Sequence, residues 1–291
     1  MSQGLITESY LTAIANAIRS KAGTQQTFTP AQMASAINAI PTGYTAKEVL
    51  EGTAAFLSGA YVDNETTKLA VGTYAFNTEI TNVTFNSCTS IGSSAFYTCQ
   101  RLTTASFPVC TYIDSNAFYS CTSLTTISFP VCTSIWSSAF YTCQRLTTAN
   151  FPMCTFLPQS VFYQCTNLTT ANFPACTTVG SGAFNGCYRL VNISFPSCTV
   201  ISHYAFACLD APSRGGIIVA NFPKVTSIGS YAFARQKIVE VNFPLCTTVN
   251  EFAFTGCTSI GTINLPECLV IKSYAFCGSS NNTGYSNHSL S

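Results

Sequence analysis

Charge is scarce in this chain. Asp, Glu, Lys and Arg make up 8% of its 291 residues, against a usual ~25%, and the net charge is +1. With no basic run, neither nucleic acid nor an anionic membrane is expected as a partner. Histidine occurs twice, tryptophan once and methionine three times. Between positions 80 and 200 the only acidic residue is Asp114, so the paired carboxylates of general acid–base work are missing from the centre. His203 sits in Ile-Ser-His-Tyr-Ala-Phe, where most sister segments carry Ser, and reads as a solvent-facing turn residue rather than a catalytic base. No glycine-rich phosphate loop occurs, and no apolar run approaches the ~18 residues of a membrane span. Met1-Ser-Gln-Gly lacks the charged and apolar regions of a secretory signal. These absences predict no enzyme, no cofactor, no metal and no membrane insertion, in a chain made in the cytoplasm without an export signal.

What is present is aromatic and periodic. The 22 Phe and 14 Tyr supply far more apolar surface than a disordered chain holds. Nine Ala-Phe pairs and one Val161-Phe162 run from Phe76 to Phe276, and six of the nine intervals between their phenylalanines are 22 residues. The unit is clearest from Leu102 through Phe107-Pro108, Cys110, Ile113 and Ala117-Phe118 to Cys121. A period in the 20–29 range, with one short strand and a turn-rich return, predicts a solenoid whose coils stack on their neighbours. Leu102, Ala105 and Phe107 have the inward spacing of a strand that Pro108 then stops, and Ile113, Ala117 and Phe118 line the opposite wall. The winding is expected to start near Leu69, where Val71-Gly-Thr-Tyr-Ala75-Phe76 parallels Ile91-Gly-Ser-Ser-Ala95-Phe96.

Sixteen cysteines raise the question of disulfides. From Cys88 to Cys198 they fall every 11 residues, half a coil, in two columns. Residues half a coil apart lie on different sides and cannot meet. Within a column, side chains in register point the same way, whereas disulfide Cβ atoms approach to ~3.8 Å. Free buried thiols filling a narrow core are therefore expected. No cysteines pair at the short spacing of a zinc site.

Residues 1–44 break the pattern. Leu11, Ile14, Ala15 and Ile18 form the stripe of an amphipathic helix, and Thr29-Pro30-Ala31-Gln32 opens a second, with Met33, Ile37 and Ile40 on its apolar face. The expected architecture is thus α+β, mainly β repeat. A helical attachment or capping segment spans 1–44, a connector 45–68, a solenoid of about ten coils 69–278 and a flexible tail 279–291. One interval of 27, from Phe206 to Phe233, predicts a loop over 209–216.

Outward positions carry the candidate recognition residues. Tyr97, Tyr119, Tyr141 and Tyr163 follow the inward phenylalanines and form a column. Arg101, Arg145 and Arg189 recur every 44 residues. Tyr112, Trp136 and Phe156 fall near the Ile position, and Arg214 lies in the irregular loop. Aromatics beside guanidinium groups suit a sugar or protein partner; the alternative is that the tyrosines shield the stack and the arginines give solubility. The block Ser93 to Ala105 is identical to Ser137 to Ala149, so part of the regularity reflects duplication.

The coils resemble leucine-rich repeats of the BspA-like (LRR_5) type, position by position at Leu102, Phe107-Pro108, Ile113, Ala117-Phe118, Cys121 and Leu124. That resemblance implies an elongated solenoid used to attach to proteins or glycans on a cell surface. Leu11 to Gly23, Phe28 to Ile37 and Thr45 to Gly52 are similar to a module of tail and tail-fibre proteins in phages and prophages of Gram-positive gut bacteria. This second resemblance implies a virion-associated host-recognition component, its N-terminal helices docked to a tail or baseplate protein or to a second copy. The alternative is a bacterial surface adhesin or intracellular scaffold.

Overall fold

The computed structural model describes residues 59–209 and 215–278. The helices expected within 1–44, the tail 279–291 and Arg214 lie outside the described residues. Those described contain no helix. Strands alternate between two walls. The first wall holds β1 (Gly59–Asp63), β3 (Ile80–Phe85), β5 (Thr104–Ser106), β7 (Thr126–Ser128), β9 (Thr148–Asn150), β11 (Thr170–Asn172), β13 (Asn192–Ser194), β15 (Val219–Asn221), β17 (Glu240–Asn242) and β19 (Thr262–Asn264). The second holds β2 (Lys68–Leu69), β4 (Ser90–Ile91), β6 (Tyr112–Ile113), β8 (Ser134–Ile135), β10 (Phe156–Leu157), β12 (Thr178–Val179), β14 (Val200–Ile201), β16 (Ser227–Ile228), β18 (Thr248–Val249) and β20 (Val270–Ile271). Every pairing is parallel and joins a strand to its equivalent one coil on, so Thr104 faces Thr126 and Ile113 faces Ile135. The ten strands on each wall make about nine turns.

The return segment forms a third side without strands. Ser94 and Thr98 adopt left-handed backbone, φ 55° and 54°. This turns the N–H groups of Ser94, Phe96 and Thr98 towards the next coil, where they donate to Ser115, Ala117 and Tyr119 carbonyls at 2.7–2.9 Å. The same left-handed positions recur down the stack as Asn116 and Ser120, Ser138 and Thr142, Ser160 and Gln164. Such conformations cost roughly 1–2 kcal/mol for a non-glycine residue. Cross-coil bonds hold them in place.

Two phenylalanine columns fill the interior. Phe85 stacks on Phe107 at 5.1 Å and Phe96 on Phe118 at 5.0 Å, while Phe107 meets Phe118 edge-on at 6.2 Å and 74°. Both are favoured aromatic geometries. At ~1.5–3 kcal/mol per buried ring, the columns are the main cohesive contribution. Leu102, Ala105, Phe107, Ile113, Ala117 and Phe118 are all buried, as their spacing predicts.

Three expectations need correction. The described part of the winding already includes Gly59–Asp63, paired with β3, within the stretch 45–68 read as a connector. Polar residues disguise that coil, where Asp63 accepts from Tyr61, Glu65 and Thr66. The first return segment is also shifted by two. Tyr74, not Phe76, takes the core site: its N–H donates to Ala95 as Phe96 donates to Ala117, and its ring stacks on Phe96 at 5.0 Å. Phe76 is 64% exposed. Finally, two of the sixteen cysteines escape burial, Cys268 being intermediate and Cys277 exposed. Cys277 stands in the tyrosine column's place rather than in a cysteine column.

The two walls are not continuous. Strands β7 and β9 belong to different sheets, as do β8 and β10, so both ladders break at one level, and the first wall alone breaks again between β13 and β15. Elsewhere on the second wall, the residue after each strand donates to the coil before, as Trp136 does to Ile113 and Gly180 to Leu157. At the break that residue is Pro158, which has no N–H to give Ile135. The third side stays closed there: Ser138, Phe140 and Thr142 donate to Gln159, Val161 and Tyr163. Accordingly Phe129 and Phe151 lie 5.8 Å apart, against 5.3 Å for Phe140 and Phe162. The coils splay on one side only.

Candidate recognition surface

The tyrosine column is real and continuous. Tyr97, Tyr119, Tyr141 and Tyr163 stack at 4.9, 4.7 and 4.6 Å with interplanar angles of 5–13°. Each is half-buried. Burial, then neighbouring Tyr163 and Tyr119, pushes the Tyr141 hydroxyl above its ordinary range. Ring faces in this column are covered by one another, leaving edges and hydroxyls outward. Arg101, Arg145 and Arg189 are exposed, and Arg101 pairs with Glu79 of the preceding coil at 3.3 Å. That exposed pair is worth little, about 0–1 kcal/mol.

A second aromatic stack was not anticipated. Tyr204, Tyr231, Phe252 and Tyr274 stack at 4.8–5.1 Å, each at a left-handed position two residues before a core phenylalanine. The signal was available, because their intervals of 27, 21 and 22 repeat those of Phe206, Phe233, Phe254 and Phe276.

Exposed apolar side chains occur along the whole stack, from Val62 to Val270, and the coils on either side of the open junction carry four of them. Trp136 and Phe156 are 50% and 52% exposed, and Tyr112 meets Trp136 at 6.3 Å and 55°. Val131 and Met153, on the same coils, are also exposed.

Threonine and asparagine contribute to the framework. Thr103, Thr125 and Thr169 hydroxyls donate to the carbonyls of Thr81, Thr103 and Thr147 one coil back, at 2.9–3.1 Å. Thr177 and Thr199 do the same at another corner, each at 3.1 Å. Asn172 donates to Asn150, and Asn264 to Asn242, forming amide ladders on the first wall.

The cysteines are built as packing. Thiols of Cys99, Cys121, Cys143 and Cys165 donate to carbonyls of Tyr74, Phe96, Phe118 and Phe140 at 3.0–3.2 Å. Burial pushes Cys99 up to about 12 and Cys154 to about 11, with Cys121 and Cys143 well above the usual thiol range. A protonated thiol is a poor nucleophile and metal ligand. Among the described residues no group of His, Cys, Asp and Glu is placed to hold a metal. His203 is exposed and accepts from the Ser230 N–H at 3.1 Å.

Family comparison matches the "BspA type Leucine rich repeat region" in overlapping segments 58–169, 89–211 and 214–287. No curated protein matches the chain. Among solved structures, it is similar to a leucine rich cell surface protein from Faecalibacterium prausnitzii A2-165. Identity there is 21%, over 76% of this chain and 79% of that one, with a TM-score of 0.44. It is also similar to the T. pallidum leucine rich repeat protein, at 25% identity over 45% of this chain and 77% of the other, TM-score 0.37. A leucine-rich repeat protein from Eubacterium ventriosum ATCC 27560 shares 18% identity over 80% and 92% of the two chains, TM-score 0.28.

Proposed function

The chain belongs to the BspA type leucine-rich repeat family, and from that premise we propose that it is a non-catalytic binding protein, a surface adhesin or protein-interaction scaffold. The observation that carries this reading is the division of labour in each coil. Inward Phe, Leu and Cys side chains supply cohesion, while Trp136 and Phe156 are exposed and Tyr112 is half-buried beside Trp136. Clustered exposed aromatics of this kind mark contact sites. Binding of the labelled full chain to a panel of bacterial cells, mammalian cells and extracellular-matrix proteins tests it. Saturable attachment to at least one surface is expected, and none to any would remove the reading.

A second reading, a virion tail component recognising a host, rests only on the sequence resemblance of segments between Leu11 and Gly52 to tail proteins, which no comparison supports. They precede the family match, which begins at residue 58. Finding the chain in purified particles would establish it; its absence from every particle fraction would leave the adhesin.

A further inference from the structure

We propose that Tyr112, Trp136 and Phe156 form a binding subsite for a neutral glycan, set across the junction between the coils of β8 and β10. The proposal rests on the recognition reading above and names its ligand class. Ring faces are the first consideration. In the tyrosine column the faces between successive rings are covered at 4.6–4.9 Å, so both faces of Tyr119 and Tyr141 are taken up. Tyr112 and Trp136 instead meet at 55°, and Trp136 and Phe156 are half-exposed, so their faces stay open to pack against the C–H face of a pyranose.

Spacing is the second. Ser134 is the ladder partner of Tyr112, and Phe156 opens the equivalent strand one coil further on. Two coil rises therefore separate Tyr112 from Phe156, at least ~10 Å by strand spacing, with Ser134 at the equivalent position between them and Trp136 of that middle coil leaning on Tyr112. That gap accepts a single ring of a ligand chain. Because Pro158 cannot donate to Ile135, the two sheets part at this level.

Charge is the third. Asp114 occupies, on the preceding coil, the place Trp136 holds on its own, as their donations to Ile91 and Ile113 show. It is the only carboxylate between positions 80 and 200. A carboxylate among hydroxyls accepts hydrogen bonds from sugar hydroxyls and repels anionic ligands. A protein interface asks for more, ~800 Å² per partner, whereas three partly exposed rings offer about half of ~150–250 Å² each.

Affinity electrophoresis of the full chain tests this, in gels containing hydroxyethyl cellulose, galactomannan or polygalacturonate. At least one of the two neutral polymers should retard the protein and polygalacturonate should not. Trp136→Ala and Phe156→Ala should each weaken retardation tenfold or more, with the melting temperature unchanged, while Tyr141→Phe leaves it intact. Absence of retardation by either neutral polymer, or full retardation of the Trp136→Ala/Phe156→Ala double variant, overturns the proposal. If no polymer binds but the double variant loses cell-surface attachment, the ridge takes a protein and only the glycan assignment falls. If the wild-type chain attaches to nothing, both readings fall.

Discussion

The side-chain amide of Gln236 donates to the backbone carbonyl of Phe206, the bond a thiol makes in neighbouring coils. Cys187 donates in the same way to Phe162, and Cys257 to Phe233. Gln236 does more, because its carbonyl oxygen accepts the Ile217 N–H at 3.1 Å where the long coil rejoins the stack. Gly215 lies so close that any Cβ would collide with this amide. Asn77 plays a related part in the first coil, accepting from Glu79 and Ile80 at 2.8 and 2.9 Å. Among the described residues, the two buried polar side chains thus stand where the repeat is irregular and backbone groups would otherwise be stranded.

Gln236→Leu keeps the volume and leaves the Phe206 carbonyl and Ile217 N–H unpaired. At ~1–3 kcal/mol per stranded group, unfolding in urea should show a loss of about 2–4 kcal/mol. Exposed Gln144→Leu should change little. An unaltered midpoint for Gln236→Leu would show that water reaches these groups.

The thiols make stability sensitive to alkali. An unfolded cysteine ionises near its ordinary value of about 9, whereas Cys99 and Cys110 hold their protons to about 12 and Cys198 to about 11. Above that ordinary value the unfolded state binds fewer protons, so stability falls as pH rises. Each such thiol removes up to ~1.4 kcal/mol per pH unit above that ordinary value, and burial raises Cys154, Cys176, Cys208 and Cys246 in the same way. Several such thiols together offset the ~5–15 kcal/mol of an ordinary domain within about one or two units. Circular dichroism should be flat to about pH 8.5 and collapse between about 9 and 10.5. At pH 7.5 a thiol reagent should label Cys268 and Cys277 quickly and the rest only after denaturation. Gradual loss above pH 11, or fast labelling of Cys121, would contradict the burial.

Much of this was legible in the sequence, and the reasons for the misses are specific. Leu102, Ala105 and Phe107 are readable because a fixed period places equal residues in register on a parallel ladder. Tyr74 was not, because matching Ala75-Phe76 to Ala95-Phe96 is better in letters and wrong in bonding; only the donation of Tyr74 to Ala95 fixes the register. The 22-residue columns of threonine were visible too. That their hydroxyls reach the carbonyl one coil back depends on the stacking geometry, which the letters do not give. The tyrosine column was placed correctly, but its faces are spent on one another, a fact that depends on ring orientation rather than position.

The tyrosine column should behave as structure. Tyr141 stacks on rings above and below, each such pair worth ~0.5–1.5 kcal/mol beyond its buried area. Tyr141→Ala should therefore cost about 2–4 kcal/mol in urea unfolding. Tyr141→Phe, which keeps both stacks, should stay within about 0.5 kcal/mol of wild type. Equal losses for the two would assign the stabilisation to the hydroxyl instead.

The splayed junction makes a sharper demand, on single amides. Thr169 and Thr177 donate to Thr147 and Thr155 at 2.9 and 2.8 Å, closing that coil pair at both corners. One coil earlier, the N–H groups of Thr147 and Thr155 form no such bonds, and Thr147 reaches the Thr125 carbonyl only through its hydroxyl at 3.5 Å. Exchange protection follows the hydrogen bonds a segment must break to open. In native-state hydrogen exchange, Thr147 and Thr155 should exchange ~100-fold or more faster than Thr169 and Thr177. Pro158→Ala restores a donor facing Ile135, so the new amide at 158 should be protected and Thr155 should slow with it. If Thr147 and Thr155 are already as protected as Thr169 and Thr177, the two walls are closed at this level in solution. The aromatic ridge then lies on an unbroken sheet.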